Sequence, residues 1–381
     1  MNKVKVIGID ARSPSTGIRR YTQEVVNEIL KLDSVYKYVI FLLPEDFEKL
    51  KFESSNVKKV LADFKWYSLK EQIGMPRLIR KEKIDLMHFP HFNVPVLYRK
   101  KFIVTIHDLI LTKFPSVRAT TLNPIIYKFK NLAYKFIVKS ALKRAEKIIA
   151  VSEFTKNDII EQFGIKKEKI EVTYEGVSKN LASPQPSLSQ GEGEKNQDDK
   201  EVLFRYNIHK PFFFYTGNAY PHKNLEGLVK IYSKVKEKYK DLSLVFVGKE
   251  DYFYKRLKEQ TNEEIIFTGF VTDEELTVLY KNALFYIFPS MYEGFGLPPL
   301  EAMANGCPVL SSNKSCMPEI LGDAVLYFNP ENEGEMIEQI KRMVENENLR
   351  KDLIQKGYKQ VKKYSWEECA RKTLEIYSNE L

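Results

Sequence analysis

Twelve short runs in this chain are rich in β-branched or aromatic residues, several of them apolar almost without interruption, and longer segments of helical spacing separate most of them. The first half carries "VKVIGID", "YVIFLLP", "DLMHFP", "KFIVTIHD", "KIIAVS" and "IEVTYEG". The second carries "PFFFYTGN", "LSLVFVGK", "EIIFTGFV", "LFYIFPS", "PVLSSN" and "AVLYFNP". A strand with one wet face alternates apolar and polar residues, and several of these runs do not. They are expected to be strands of parallel sheets covered by helices on both sides, an α/β class.

The two sets are separated by "SPQPSLSQGEGEKNQDDKE", residues 183–201, rich in Pro, Ser, Gly and charge and almost free of apolar anchors. The segment reads as a linker or insertion outside the packed units. A chain of 381 residues also exceeds one ordinary core, so two units are expected, 1–182 and 202–362. Ligands of open parallel sheets bind beyond the carboxyl ends of the strands. Two such sheets facing each other would make a cleft.

Composition narrows the class. No uncharged apolar stretch reaches the roughly 18 residues of a membrane-spanning helix. The opening "MNKVKVIGID" stops at Asp10 and Arg12 and lacks a small-residue cleavage site, so it reads as a first strand. Cys307, Cys316 and Cys369 have no metal spacing, and an odd count suggests no disulfide framework. The expected location is therefore the cytoplasm. Net charge is +9, divided as +14 over residues 1–180 and −5 over the rest, so the halves are expected to meet different partners.

The most informative stretch is "PSMYEGFGLPPLEAMANGCPV", Pro289 to Val309. A strand delivers the chain to Glu293; Gly294 and Gly296 allow close backbone approach, and Pro298 and Pro299 suit a first helical turn. Strand, glycine loop and helix N-terminus together form an anion site. Glu301 is placed in the first helical turn. Both glutamates can accept hydrogen bonds from hydroxyls flanking a phosphate, which describes a nucleotide sugar. The plainer alternative makes Glu293 a solvated loop residue and Glu301 a helix-terminal charge.

The longer segment "PSMYEGFGLPPLEAMANGCPVLSSNKSCMPEILGDAVLYFNP" resembles the signature of retaining glycosyltransferase family 4. That signature has two Glu separated by seven residues around a GFGLP loop, followed by a small-residue helix and a Pro-Glu turn. The likeness runs from "IGIDAR" to "YSWEECARKTLEIY" and excludes the insertion. It implies a GT-B fold: two Rossmann-like, doubly wound units, with residues 363–381 a helix crossing back to the first. It also implies that Glu293 holds hydroxyls of the transferred sugar and Glu301 the ribose diol. The amides of Gly294, Phe295, Gly296 and Leu297 would meet the diphosphate.

Further residues follow from the same resemblance. Lys223 in "YTGNAYPHKNLEGL" would present a point charge to the diphosphate. The family often has an arginine where Asn218 stands. "G-N-x-x-P-H-K-N" looks like a variant of bacterial mannosyltransferases, which points to GDP-mannose as donor. Gly17 in "IDARSPSTGIRRYTQEVV" would let a loop approach the donor, and Arg19 or Arg20 could supply the missing positive charge or pair with surface acids. His107 matches the family histidine near the reaction centre and is expected to orient the donor sugar. Backbone around Val271 would border the base.

Several residues have sufficient structural readings. Ser152 is a natural N-cap, and Thr272 with Glu275 forms a capping box. His88 and His91 have spacing that suggests a metal, but no nearby acid or cysteine completes a site, so loop packing or acceptor contact is expected. From Arg118 to Lys147 the chain has eight Lys/Arg and one acid, interleaved with aromatics. This is either an ordinary helix packed on the first unit or a surface for anionic membrane.

The expectation is a metal-independent hexosyltransferase of the retaining type, mannosyl by analogy. Its partners would be a nucleotide-sugar donor and a glycan or lipid-linked acceptor at the inner membrane face. Rivals are a UDP-sugar-dependent glucosyl or N-acetylhexosaminyl transferase, an epimerase or phosphorylase of the same architecture, and a basic nucleic-acid-binding protein. No recognised nucleic-acid module is visible, and "IGIDARSPSTG" lacks the G-x-G-x-x-G of hydride-transfer enzymes.

Overall fold

The apolar runs pair as parallel strands throughout. In the computed structural model, residues 4–13, 16–114, 124–177, 195–261 and 264–381 are described. The first unit comprises Met1–Gly176 with Ser365–Leu381, and the second Val177–Tyr364.

Among the described residues the first sheet has seven strands: β1 (Val6–Asp10), β2 (Lys37–Leu42), β3 (Val57–Leu61), β4 (Leu86–Phe89), β5 (Phe102–Ile106), β6 (Lys147–Ala150) and β7 (Ile170–Val172). Their order is β3-β2-β1-β4-β5-β6-β7, with every pair parallel. Chain direction across the sheet therefore reverses between β1 and β4. β4 and β5 are buried at every position, and their two polar residues, His88 and Thr105, meet each other at 2.8 Å. β3, "VKKVL", forms an edge and buries little. Its two central lysines kept it out of the strands expected from apolar content.

The helix Trp366–Glu380 belongs to this first unit. Its N-cap Ser365 accepts from the Glu368 N–H, and its buried Tyr377 reaches the Nδ1 of His88 at 2.6 Å. Trp366 packs edge-on against Tyr21 of the helix Thr16–Leu32, with ring centroids 5.9 Å apart.

The second sheet has six strands among the described residues: β8 (Phe212–Thr216), β9 (Ser243–Val247), β10 (Ile265–Gly269), β11 (Phe285–Phe288), β12 (Val309–Ser312) and β13 (Leu326–Phe328). The order is β10-β9-β8-β11-β12-β13, again all parallel, and it reverses between β8 and β11.

One expectation is corrected. Residues 195–201, assigned to the linker, begin a helix, Lys195–Arg205. Its apolar anchor lies just past the polar stretch, at the buried Leu203. Asp199 accepts from Asn282 Nδ2 at 2.8 Å, and Arg205 pairs with Glu275. A polar composition hid the helix because Asp199 and Arg205 are used in tertiary contacts that no local pattern announces. Residues 183–194 lie outside the described residues.

Candidate active site

The loops after β8 and β11 flank the reversal point of the second sheet, where open α/β sheets place their ligands. The first is shaped from below. Tyr215 donates its hydroxyl to the Asn218 carbonyl at 2.8 Å, and Tyr254 to the Gly217 carbonyl at 2.8 Å. Gly217 has φ +145°, and a Cβ there would lie 2.6 Å from the Tyr215 hydroxyl, so only glycine fits. Asn218 is exposed, and its side chain accepts from the Tyr220 N–H at 3.4 Å. The short turn Pro221–Lys223 follows.

Two contacts stitch this loop to the next. The Met291 N–H donates to the His222 carbonyl at 2.7 Å, and Lys223 Nζ donates to Glu293 Oε1 at 2.6 Å. The Lys223 and Glu293 side chains are only 13% and 10% exposed. Glu293 is thus a buried ion-pair partner, not a solvated loop residue. Burial, followed by the neighbouring Lys223 charge, pushes His222 down to about 4, so its ring is neutral near pH 7. The Glu293 N–H donates to Ser315 Oγ at 3.0 Å, and Ser315 itself stands at φ +55°. Ser315 was not singled out from sequence, although it lies within the quoted signature just before the Pro-Glu turn.

The chain then runs through Gly294 and Phe295 to Gly296. Phe295 is buried, its ring edge-on to Tyr364 at 5.5 Å, so it offers a ligand only backbone. Gly296 has φ +89° and caps the helix Leu297–Ala304; a Cβ there would lie 2.5 Å from Met317 Cε. The left-handed turn sets where the helix begins and corrects the placement of Glu301. With Leu297 as first residue, the first turn contains no acid, and Glu301 falls just beyond it. Glu301 is buried at 4% exposure, so it is not an exposed helix-terminal charge either.

Val271 lies two residues beyond β10, on the same strand-end edge, but β9 separates β10 from β8. Thr272 and Glu275 do form the capping box: Glu275 N–H donates to Thr272 Oγ1 at 3.3 Å and Thr272 N–H to Glu275 Oε2 at 2.9 Å. The structure therefore brings Asn218, Lys223, Glu293 and the Gly294–Leu297 backbone together across one reversal point. The first turn of the helix Leu297–Ala304 adds the positive end of its dipole. Cation, amides and carboxylate in this order can hold an anion with a hydroxylated group beside it.

His107 and Gly17 belong to the first unit. Gly17 sits in the first turn of the helix Thr16–Leu32 and is exposed, not in the loop expected for it. The helix starts earlier than "SPST" suggested because Thr16 already has helical backbone. Arg19 donates to the Ser13 carbonyl at 3.0 Å and pairs with Asp46 at 3.4 Å. His107 follows β5. Its Nδ1 lies 3.0 Å from Glu175 Oε1 and its Nε2 3.0 Å from the Pro90 carbonyl. Both nitrogens thus face acceptors, and Tyr21 closes the ring edge-on at 4.6 Å. Such a ring is held in place, which suits orientation and not nucleophilic attack. Glu175, the buried partner, carried no local sequence signal; only the fold brings β5 and the end of the first unit together.

His88 lies on β4, fully enclosed between Tyr377 and Thr105, and burial, then the His107 charge, pushes it down to about 3. Among the described residues no group of three His, Cys, Asp or Glu is arranged for a metal ion. Ser152 caps the helix Glu153–Phe163 by accepting from Thr155 N–H at 3.0 Å, and Asp158 pairs with Lys113 at 3.0 Å. No helix among the described residues is long and apolar enough to cross a membrane.

Residues 16–181 match the family model described as glycosyltransferase family 4, and residues 198–360 that of glycosyl transferases group 1. The chain belongs to the family 4 glycosyltransferases. This glycosyltransferase is 28% identical to O-antigen chain mannosyltransferase B of Escherichia coli, with 96% of each chain covered. It is 24% identical to O-antigen chain mannosyltransferase RfbU of Salmonella typhimurium, over 86% of this chain and 87% of that one. Among solved structures it is similar to sucrose-phosphate synthase from Thermosynechococcus elongatus, with a TM-score of 0.75, 17% identity and 98% of both chains covered. Two parallel-sheet units in this arrangement of strands make the fold GT-B. The activity is that of a hexosyltransferase.

Proposed function

We propose that this glycosyltransferase moves a mannosyl group, with retention, from GDP-mannose to a hydroxyl of a glycan or lipid-linked glycan. The observation that carries the reading is the Lys223–Glu293 pair at the reversal point of the second sheet, next to the helix N-terminus. On donor binding, Lys223 turns its charge to the diphosphate and the Gly294–Leu297 amides meet the phosphate oxygens. Glu293 takes hydroxyls of the sugar and Glu301 those of the ribose. The bond from the sugar's anomeric carbon to the diphosphate oxygen breaks. The acceptor oxygen bonds to that carbon from the same face, and its proton passes to the departing phosphate. Fixed positive groups stabilise that departing charge, an electrostatic contribution of the kind worth several kcal/mol per donor. No metal has a part in this reading.

The mannosyl choice is supported by the two O-antigen relatives and by the "GNAYPHKN" segment. The test is a transfer assay in EDTA with GDP-mannose and a panel of mannosides, with the product's anomeric configuration read by NMR. An α-linked product confirms the reading; a β-linked product, or turnover only with added divalent metal, contradicts it.

The reading includes contact with an anionic membrane. On the helix Pro124–Arg144, Val138, Ala141 and Leu142 are buried, while Leu132 and Phe136 are 67% and 61% exposed beside the exposed Lys135 and Lys139. Apolar and cationic groups on one open face suit a lipid surface. Residues 118–123 of the basic segment lie outside the described residues. Sedimentation with phosphatidylglycerol vesicles, but not with phosphatidylcholine vesicles, is the expected result; equal recovery with both removes this part of the reading.

A further inference from the structure

The first unit carries a row of aromatic rings that the donor chemistry does not use. It begins in the segment after β3. There Tyr67 stands at φ +62°, a conformation costing a non-glycine residue about 1–2 kcal/mol, and yet the residue is 56% exposed. An exposed tyrosine gains little from burial to offset that cost. The turn is pinned instead from beneath: the Tyr67 N–H donates to Glu71 Oε2 at 2.7 Å. Glu71 in turn binds Arg12 at 3.0 Å and Asn93 Nδ2 at 3.0 Å, all three residues being buried.

The rings run on from Tyr67. Trp66 stacks on His91, with centroids 4.7 Å apart and planes at 23°. His91 lies against Phe92 at 3.7 Å, and Phe92 meets Tyr134 edge-on at 5.0 Å. His91 is the residue after Pro90, whose carbonyl contacts His107 Nε2. The row therefore passes one residue from the contact that holds His107. Segments after β3 and β4 supply all of it but Tyr134, which the helix Pro124–Arg144 adds, on the strand-end edge beside the reversal point of the first sheet.

Beneath the row, Trp66 Nε1 and Asn93 Oδ1 are buried and find no hydrogen-bond partner among the described residues. Such groups cost about 1–3 kcal/mol each and are uncommon in a native fold. One is a donor and the other an acceptor, a pair that hydroxyl groups satisfy. A strained and exposed tyrosine, stacked rings and two unmet polar atoms fit the apolar face and hydroxylated rim of a pyranose. An acyl chain would leave both polar atoms unmet.

We propose that Tyr67, Trp66 and His91, with Asn93, form a subsite for a neutral pyranose unit of the acceptor glycan. The proposal rests on the glycan-acceptor reading given above. Tyr67 and Trp66 carry the stacking, and Asn93 and Trp66 Nε1 meet hydroxyls as the rings adjust. Glu71 and Arg12 hold the turn and do not touch the sugar.

The chain has two tryptophans, and Trp366 is buried against Tyr21, so Trp366→Phe leaves Trp66 as the sole indole reporter. Titration of that variant with methyl α-mannoside, α-mannobiose and chitobiose should give a saturable emission change with at least one of them. Should Trp366→Phe not fold, Trp66→Phe in the otherwise unchanged chain provides the difference signal. In transfer assays, Trp66→Ala and Tyr67→Ala should raise the acceptor KM about tenfold or more, with kcat within about threefold and GDP affinity unchanged. No saturable emission change with any sugar, or an unchanged acceptor KM in Trp66→Ala, overturns the subsite. Failure of the unmodified chain to bind GDP overturns the donor reading instead, and the sugar titration still decides the subsite.

Discussion

The two sheets reverse direction at equivalent places, and each has a buried ion cluster beside that point. In the first unit Arg12 donates to Asp10 through Nε and Nη2, to Glu71 through Nη2 and to the Phe64 carbonyl through Nη1. Burial works against its charge, and the two carboxylates more than offset the penalty. In the second unit Lys223 Nζ has one carboxylate partner among the described residues, Glu293, and lies over the Phe288 ring at 5.7 Å, and both side chains keep some solvent access. A guanidinium fully buried and committed to two carboxylates and a carbonyl fixes a backbone geometry and leaves little for a ligand. An ammonium with one partner can exchange it for a phosphate. Similar architecture thus carries a structural cluster in one unit and, in the proposed reading, a donor-binding pair in the other.

Substitution at each cluster should separate these roles. Glu293→Gln keeps the side chain's shape, releases Lys223 and removes the carboxylate proposed to meet sugar hydroxyls. Transfer should fall about 10²–10³-fold, the range seen when one preorganised polar group is lost from a reaction centre. GDP affinity, measured calorimetrically, should stay within a few-fold or tighten, because Lys223 no longer has a competing partner. Unchanged turnover would remove Glu293 from the sugar site.

Arg12→Met should do the reverse. Removing one partner from a buried charge cluster costs about 3–5 kcal/mol, so thermal or urea unfolding of the first unit should shift strongly. Nucleotide affinity in whatever remains folded should be unaffected. A stable variant with lost GDP binding would show that the comparison has been drawn the wrong way round.

Near neutral pH the smallest effect concerns acid, because it grows only as pH falls. The folded-state value of His88, about 3, lies below its ordinary 6.5, so the neutral ring is the form the fold accepts. Between those values the unfolded chain binds a proton that the folded chain does not. Stability is therefore full above about pH 6.5 and is lost as pH falls towards 3, at up to about 1.4 kcal/mol per pH unit. His88→Gln should flatten the pH dependence of the unfolding free energy over this window; equal slopes in both proteins would contradict the assignment.

How much of this was legible from the chain depends on whether a signal is local. β4, β5 and β8 announce themselves because strands covered on both faces are mostly apolar, with few polar positions to break the run. β3 does not, since an edge strand tolerates Lys58 and Lys59. The glycine loop was legible because Gly296 and the following prolines each have one local conformational use. The register of the helix was not: Gly296's left-handed turn moved Glu301 out of the first turn. Glu175 and Ser315 were invisible as site residues, because each acts on a partner brought near only by the fold, His107 in one unit and Glu293 in the other. The strain at Tyr67 is similarly unreadable, as nothing in "FKWYSLKE" demands a left-handed tyrosine until Glu71 folds under it.

The central claim is that the second unit's reversal point is a nucleoside-diphosphate site built on Lys223 and the Gly294–Leu297 backbone. Calorimetric titration of the full chain with GDP, UDP and ADP in EDTA tests it most directly, alongside Lys223→Met. The account predicts saturable binding without metal, GDP preferred over UDP and ADP, and about tenfold weaker GDP binding in the variant. Binding of none of the three nucleotides, or equal GDP affinity with and without Lys223, would contradict it.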